Sequence, residues 1–123
     1  MPHILSVSYD VTLLNTRQLM PEACGYQVTS AEGYVGAIRK CRAGSYDLLI
    51  MGHSIPHADK QEIVLEVRKH CPIPVLALLR IGEPPLEGAA ESIDAQNPRL
   101  LLDAVSRLLV RRAKRQLARL AAS

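Results

Sequence analysis

YDLLIMGHSIPHADK, residues Tyr46 to Lys60, decides the architecture. Its front half, Leu48, Leu49, Ile50 and Met51, is a continuous apolar run bounded by turn residues, Gly44 and Ser45 before it and Gly52 after it. A strand covered on one face alternates apolar and polar side chains, so an unbroken run predicts a strand buried on both faces, in the middle of a parallel sheet. Open α/β proteins place their chemistry where such strands end, at the carboxyl edge. Gly52 to Asp59 therefore falls where functional side chains are expected, yet Gly52, the first residue off the strand, has none.

Outward from this stretch the chain alternates strand and helix patterns. His3 to Tyr9 reads as a first strand, and Val11 to Cys24 as a helix closed by Gly25, with Pro21 expected to kink its last turn. Tyr26 to Thr29 reads as a second strand. Ser30 is expected to cap a helix running to about Ala43, with Val35, Ala37, Ile38 and Cys41 on its apolar side and Gly44 at its exit. A helix is expected to start at Asp59, since Asp59 and Glu62 have the spacing of a capping box, and to turn Ile63, Val64 and Val67 toward the sheet. Pro72 and Pro74 bracket the approach to another buried run, Val75 to Leu79. Arg80 to Ala89, with two adjacent prolines and two glycines, is incompatible with a regular helix and predicts a loop of at most one turn. Ala90 to Asp94 gives a short last strand. Asn97 and Pro98 then open a helix of about 25 residues that nothing interrupts before Ala122.

These residues resemble the receiver domain of bacterial two-component response regulators. Ile4-Leu5-Ser6-Val7 is similar to the opening strand of that family, and Gly25-Tyr26-Gln27-Val28 to the lead into its second strand. Tyr46-Asp47-Leu48 is similar to the start of its third strand, Pro56 to the family proline, and Asp59-Lys60 to the Asp-Gly that opens the next helix. The resemblance covers about Ile4 to Val110. It implies a doubly wound five-stranded parallel sheet in the order 2-1-3-4-5, flavodoxin-like, with the fourth helix missing or vestigial and the last helix extended. It also divides the chain into a receiver-like domain, 1–110, and a basic extension of the C-terminal helix, 111–123.

The same resemblance marks a degenerate phosphorylation pocket. The acidic pair that holds magnesium in the family falls on Ser8 and Tyr9, with Asp10 one place later; the phospho-accepting aspartate falls on Gly52; the signalling hydroxyl on Leu79; and the lysine on Ala95. All are replaced. What this implies is a pseudo-receiver, a cytoplasmic bacterial signalling domain and not an enzyme, which contacts a protein partner or a second copy of itself without aspartyl phosphorylation and without a cofactor. His53, Ser54, Pro56, His57, Asp59 and Arg80 are the loop residues expected to form its surface, with a salt bridge from Arg80 to Asp10 expected to close the old pocket. A phosphorelay receiver using His53 or Ser54 as acceptor is the first alternative.

Composition sets the outer bounds. The chain has 123 residues, 48% hydrophobic and 22% charged, with neither Phe nor Trp, so Leu, Ile, Val and Ala must fill the core of one small domain. No apolar run approaches the roughly 20 residues of a membrane-spanning helix, and Asp10 interrupts any early leader-like stretch. Cys24, Cys41 and Cys71, odd in number and widely spaced, are expected to be reduced thiols. His53 and His57 are four apart, but Pro56 between them argues against a helical metal-binding pair, and no metal is expected. Arg107, Arg111, Arg112, Lys114, Arg115 and Arg119 crowd the second half of the last helix, so the formal charge of +3 is a basic tail on an acidic body. A thin apolar line, Leu109, Ala113, Leu117 and Leu120, continues beside them. The tail has three readings: a solvated end lying over the acidic body, a short coiled-coil seam for a homodimer or partner helix, and a basic face for nucleic acid or an anionic membrane surface.

Overall fold

Alternate residues of each central strand serve opposite faces of one sheet, and that division builds the whole molecule. The computed structural model describes residues 2–9, 25–95 and 98–122. Five strands, β1 (His3–Ser8), β2 (Gln27–Glu32), β3 (Leu48–Met51), β4 (Val75–Leu79) and β5 (Glu91–Asp94), pair in parallel in the order β2-β1-β3-β4-β5. Three helices are described, α1 (Gly33–Ala43), α2 (His57–His70) and α3 (Pro98–Ala122). Leu5, Val7, Leu49, Met51, Val75 and Ala77 point to one face, where they meet Ala37 and Cys41 of α1 and Ile63, Val64 and Val67 of α2. Ile4, Leu48, Ile50, Leu76 and Leu78 point to the other, against Leu101, Ala104, Val105 and Leu108 of α3. Every residue of β3 is buried. Its unbroken apolar run follows from having helices on both sides.

The expected order of strands, the long last helix and the helix-free Arg80 to Ala89 segment are all present. Four local expectations are corrected. First, β2 does not stop at Thr29: Ser30, Ala31 and Glu32 pair with Ser6, Val7 and Ser8, and the N-cap position of α1 falls to Glu32 in place of Ser30. The chain turns instead at Gly33, whose φ of +73° a residue with a Cβ rarely adopts. Second, Val35 is 65% exposed, leaving Ala37 and Cys41 as the buried residues of α1. Third, α2 begins two residues before Asp59, with Pro56 at its N-cap position and no side-chain cap bond. Fourth, Cys41 and Cys71 are joined as a disulfide, Cα atoms 6.5 Å apart, tying the end of α1 to the end of α2. Asp10, Asn97 and the helix expected over Val11 to Cys24 lie outside the described residues.

No helix among the described residues is long and apolar enough to cross a membrane. α3 runs unbroken through position 110, and its two halves differ. Its first half buries Leu101, Val105 and Leu108, each worth roughly 1.5–3 kcal/mol of transfer free energy. Its second half projects past the sheet, with Leu117 65% and Leu120 73% exposed.

Candidate functional site at the carboxyl edge

The ends of β1, β3 and β4 converge at one edge of the sheet, and the loop Gly52 to Pro56 lies across it. Gly52 follows β3 directly and donates its amide to the Val7 carbonyl at 2.8 Å, so β3 and β1 stay in register to the edge. A Cβ at this position would lie 3.1 Å from the Val7 oxygen and 3.4 Å from Cβ and Oγ of Ser8. The loop then folds back through the Ile55 amide, which donates to the Gly52 carbonyl, and buries the Ile55 side chain completely.

Ser54 sits at the centre. Its hydroxyl shares a hydrogen bond with Ser8 Oγ at 2.8 Å and accepts from the Tyr9 amide at 3.1 Å. Arg80, just beyond β4, fastens the loop from the other side: Nε donates to the His53 carbonyl and Nη2 to the Ser54 carbonyl, both at 2.6 Å. Arg80 is thus committed to the loop, and Asp10, its expected partner, is outside the described residues. Tyr9 donates its phenol to Asp59 Oδ2 at 3.0 Å. Burial first, and then that bond to a carboxylate, push the Tyr9 pKa up to about 12. Asp59 is therefore an anchor for Tyr9, where the sequence suggested a helix cap.

A second cluster lies directly behind. Lys60 is completely buried, and its ammonium donates to the Leu78 carbonyl at 2.8 Å and to both oxygens of Glu83 at 2.8 and 2.9 Å. Glu83 also accepts from the Arg80 amide at 3.0 Å and pairs with His57 Nδ1 at 2.8 Å. Burial pulls the Glu83 carboxyl upward, but the Lys60, Arg80 and His57 hydrogen bonds together outweigh it and hold it below the usual carboxylate range. The helix-free segment after β4 is pinned to α2 through this group. In the sequence Lys60 stands out only as the match to the family's Asp-Gly, and Glu83 not at all. Lys60 carried a signal all the same, since it is in phase with Ile63, Val64 and Val67 on the buried face of α2.

The remaining residues fall as follows. Leu79 packs against the core under α1 and α2, and Ala95 against the opposite one, its amide donating to the Leu79 carbonyl. His53 and His57 do not converge on a common ligand, because His57 is turned to Glu83. Among the described residues no group of three or more His, Cys, Asp or Glu is placed to hold a metal. Among the described residues nothing fits the magnesium that the receiver resemblance implies. A hard cation takes several oxygen ligands, mostly carboxylates, whereas Ser8 is bonded to Ser54, Tyr9 is a phenol bonded to Asp59, and Gly52 has no side chain. Arg111, Arg112, Arg115, Leu117 and Leu120 lie on α3, away from this edge; Arg112 pairs with Asp47 at 3.2 Å and Arg111 reaches Glu91 at 4.0 Å.

No protein-family model matches the sequence, and no curated protein matches it. Solved structures do. A CheY-like response regulator receiver domain from Methanospirillum hungatei superposes with a TM-score of 0.82 over 94% of this chain and 98% of its own, at 23% identity. The fold is that of a receiver domain. The signal receiver domain of an HD domain-containing protein from Pseudomonas fluorescens gives 0.79 over 92% and 98% at 20% identity. The response regulator TrrA of Thermotoga maritima, solved in complex with the histidine kinase ThkA, gives 0.77 over 89% and 99% at 24% identity. The receiver fold accounts for the strand order.

Proposed function

We propose that the chain is a receiver-like signalling domain that acts by binding a protein partner, without phosphorylation of an aspartate. The observation that carries this reading is Gly52. At the carboxyl end of β3, where the receiver pattern has its acceptor, the chain offers no carboxylate and leaves only 3.1 Å between a would-be Cβ and the Val7 oxygen. Phosphoryl transfer depends on positioning and charge neutralisation. Here the serines are hydrogen-bonded to each other and Arg80 is bound to loop carbonyls. The loop is a fixed shape, suited to contact. Its partner surface comprises the accessible residues of the Gly52 to Lys60 stretch, Pro56 and Ala58 foremost, with the Arg80 to Ala89 segment and the exposed face of α3, and the histidine kinase bound by the Thermotoga regulator is the class of partner to test first.

Incubation with acetyl phosphate and magnesium, followed by intact-mass measurement, tests the central point. The mass is expected to stay unchanged. A gain of one phosphoryl group would overturn the reading, and mapping it to His53 or Ser54 would establish the non-standard acceptor instead.

A further inference from the structure

At the opposite, amino edge of the sheet the structure holds a second site. The projecting half of α3, the connection Pro72–Val75 between α2 and β4, and Gly88–Ala90 ahead of β5 enclose a groove of about 630 Å³. That volume lies within the range of small-molecule pockets. Five arginines line it, Arg68, Arg111, Arg112, Arg115 and Arg119, and among the described residues no carboxylate does. Guanidinium groups stay charged at any physiological pH, so five around one space repel each other, and an anion entering it relieves that repulsion.

Helix ends explain only part of this. Basic residues in a last helical turn offset the negative end of the helix dipole, which accounts for Arg68 in α2 and Arg119 in α3. Arg111, Arg112 and Arg115 lie further inside α3. The acidic residues that reach Arg111 and Arg112 stand outside the groove: Asp47 takes Arg112 at 3.2 Å, and Glu91 reaches Arg111 only at 4.0 Å. Arg68 donates from Nη2 to the Gly88 carbonyl at 3.1 Å, which anchors one end of its guanidinium; the group has further N–H donors. Pro72, Ile73, Pro74 and Ala90 supply an apolar part of the lining opposite the arginines' charge.

We propose that this groove binds a nucleoside polyphosphate, its phosphates taken by the arginines and its base by the apolar part of the lining. Guanidinium forks match phosphate oxygens two at a time, and a planar base can also stack on a guanidinium face. The site is independent of the carboxyl edge, so it stands whether or not that edge is phosphorylated.

Isothermal titration of the full chain at physiological ionic strength, with ATP, inorganic triphosphate, adenosine and a short DNA duplex, tests this. ATP is expected to bind in the micromolar range, triphosphate at least about tenfold more weakly, and adenosine not measurably. Arg115→Gln and Arg119→Gln, both on an exposed helix, are each expected to weaken ATP binding about tenfold. Arg39→Gln, exposed on α1 outside the groove, is expected to leave it unchanged, and circular dichroism of each variant confirms the fold. Absence of ATP binding would overturn the proposal. So would equal loss with Arg39→Gln, triphosphate binding as tightly as ATP, or tighter binding of the duplex, which would make the arginines a nucleic-acid face.

Discussion

A methyl group on Gly52 would stand 3.1 Å from a carbonyl oxygen that is itself fixed by accepting the Gly52 amide. Backbone cannot yield as a flexible side chain can, so the neighbouring strand must shift by a few tenths of an ångström. Gly52→Ala is therefore expected to destabilise the protein by about 1 kcal/mol and Gly52→Asp by about 1–3 kcal/mol, because the longer residue also brings a carboxylate against the Ser8 hydroxyl. Urea unfolding reads both. Gly52→Asp is expected to take no phosphoryl group, since the positions beside it hold Ser8 and Tyr9 with their hydroxyls bonded to Ser54 and Asp59. A Gly52→Asp variant that is as stable as the parent and gains a phosphoryl group from acetyl phosphate would show that the glycine alone silences the site.

At the scale of elements, the buried pair Lys60–Glu83 links α2 to the segment after β4. Removing Glu83 alone strands a completely buried ammonium, so Glu83→Ala is expected to cost about 3–5 kcal/mol, whereas Lys60→Met with Glu83→Gln recovers most of the loss. The pH dependence has a definite sign. Glu83 titrates lower in the folded chain than in the unfolded one, so its contribution is complete above about pH 4.5 and is lost as pH falls through the depressed folded value. Thermal unfolding between neutral and acid pH is expected to show a shallower acid limb for Glu83→Gln than for the parent, and identical limbs would refute the assignment. The pair also shows where sequence reading stops. Leu48–Met51 and Val75–Leu79 were legible because burial on both faces writes itself into consecutive residues, and the Pro84-Pro85 segment because proline forbids a helix locally. Lys60 and Glu83 are 23 residues apart and Cys41 and Cys71 30, so neither pairing leaves a mark in any short window. Asp59 shows the converse failure: the capping-box spacing is there, but the helix starts at His57, which puts Asp59 inside its first turn, and the carboxylate accepts from Tyr9, 50 residues away.

On the scale of the whole molecule the two edges of the sheet have opposite characters, one stitched shut by short hydrogen bonds and the other lined with positive charge. Asp47 organises the charged edge: it accepts from the His3 amide at 2.9 Å at the start of β1 and from Arg112 of α3 at 3.2 Å. That partly exposed ion pair and a weak bond from Arg112 to the Pro72 carbonyl are the described attachments of the projecting tail to the body through Arg112. An ion pair so accessible to water is worth about 1 kcal/mol or less. Beyond Leu109, the described side chains of α3 are exposed apart from Arg112, so the core under its first half does not need them. A chain ending at Val110 is therefore expected to keep its fold, with a melting temperature about 3–6 °C lower. It loses five of the fifteen basic residues, which turns the net charge of +3 negative. If the tail serves as a binding element, the truncated chain melts cooperatively near the parent temperature yet fails to capture the protein partner and ATP; loss of cooperative melting would instead make Arg111 to Ser123 part of the folding unit.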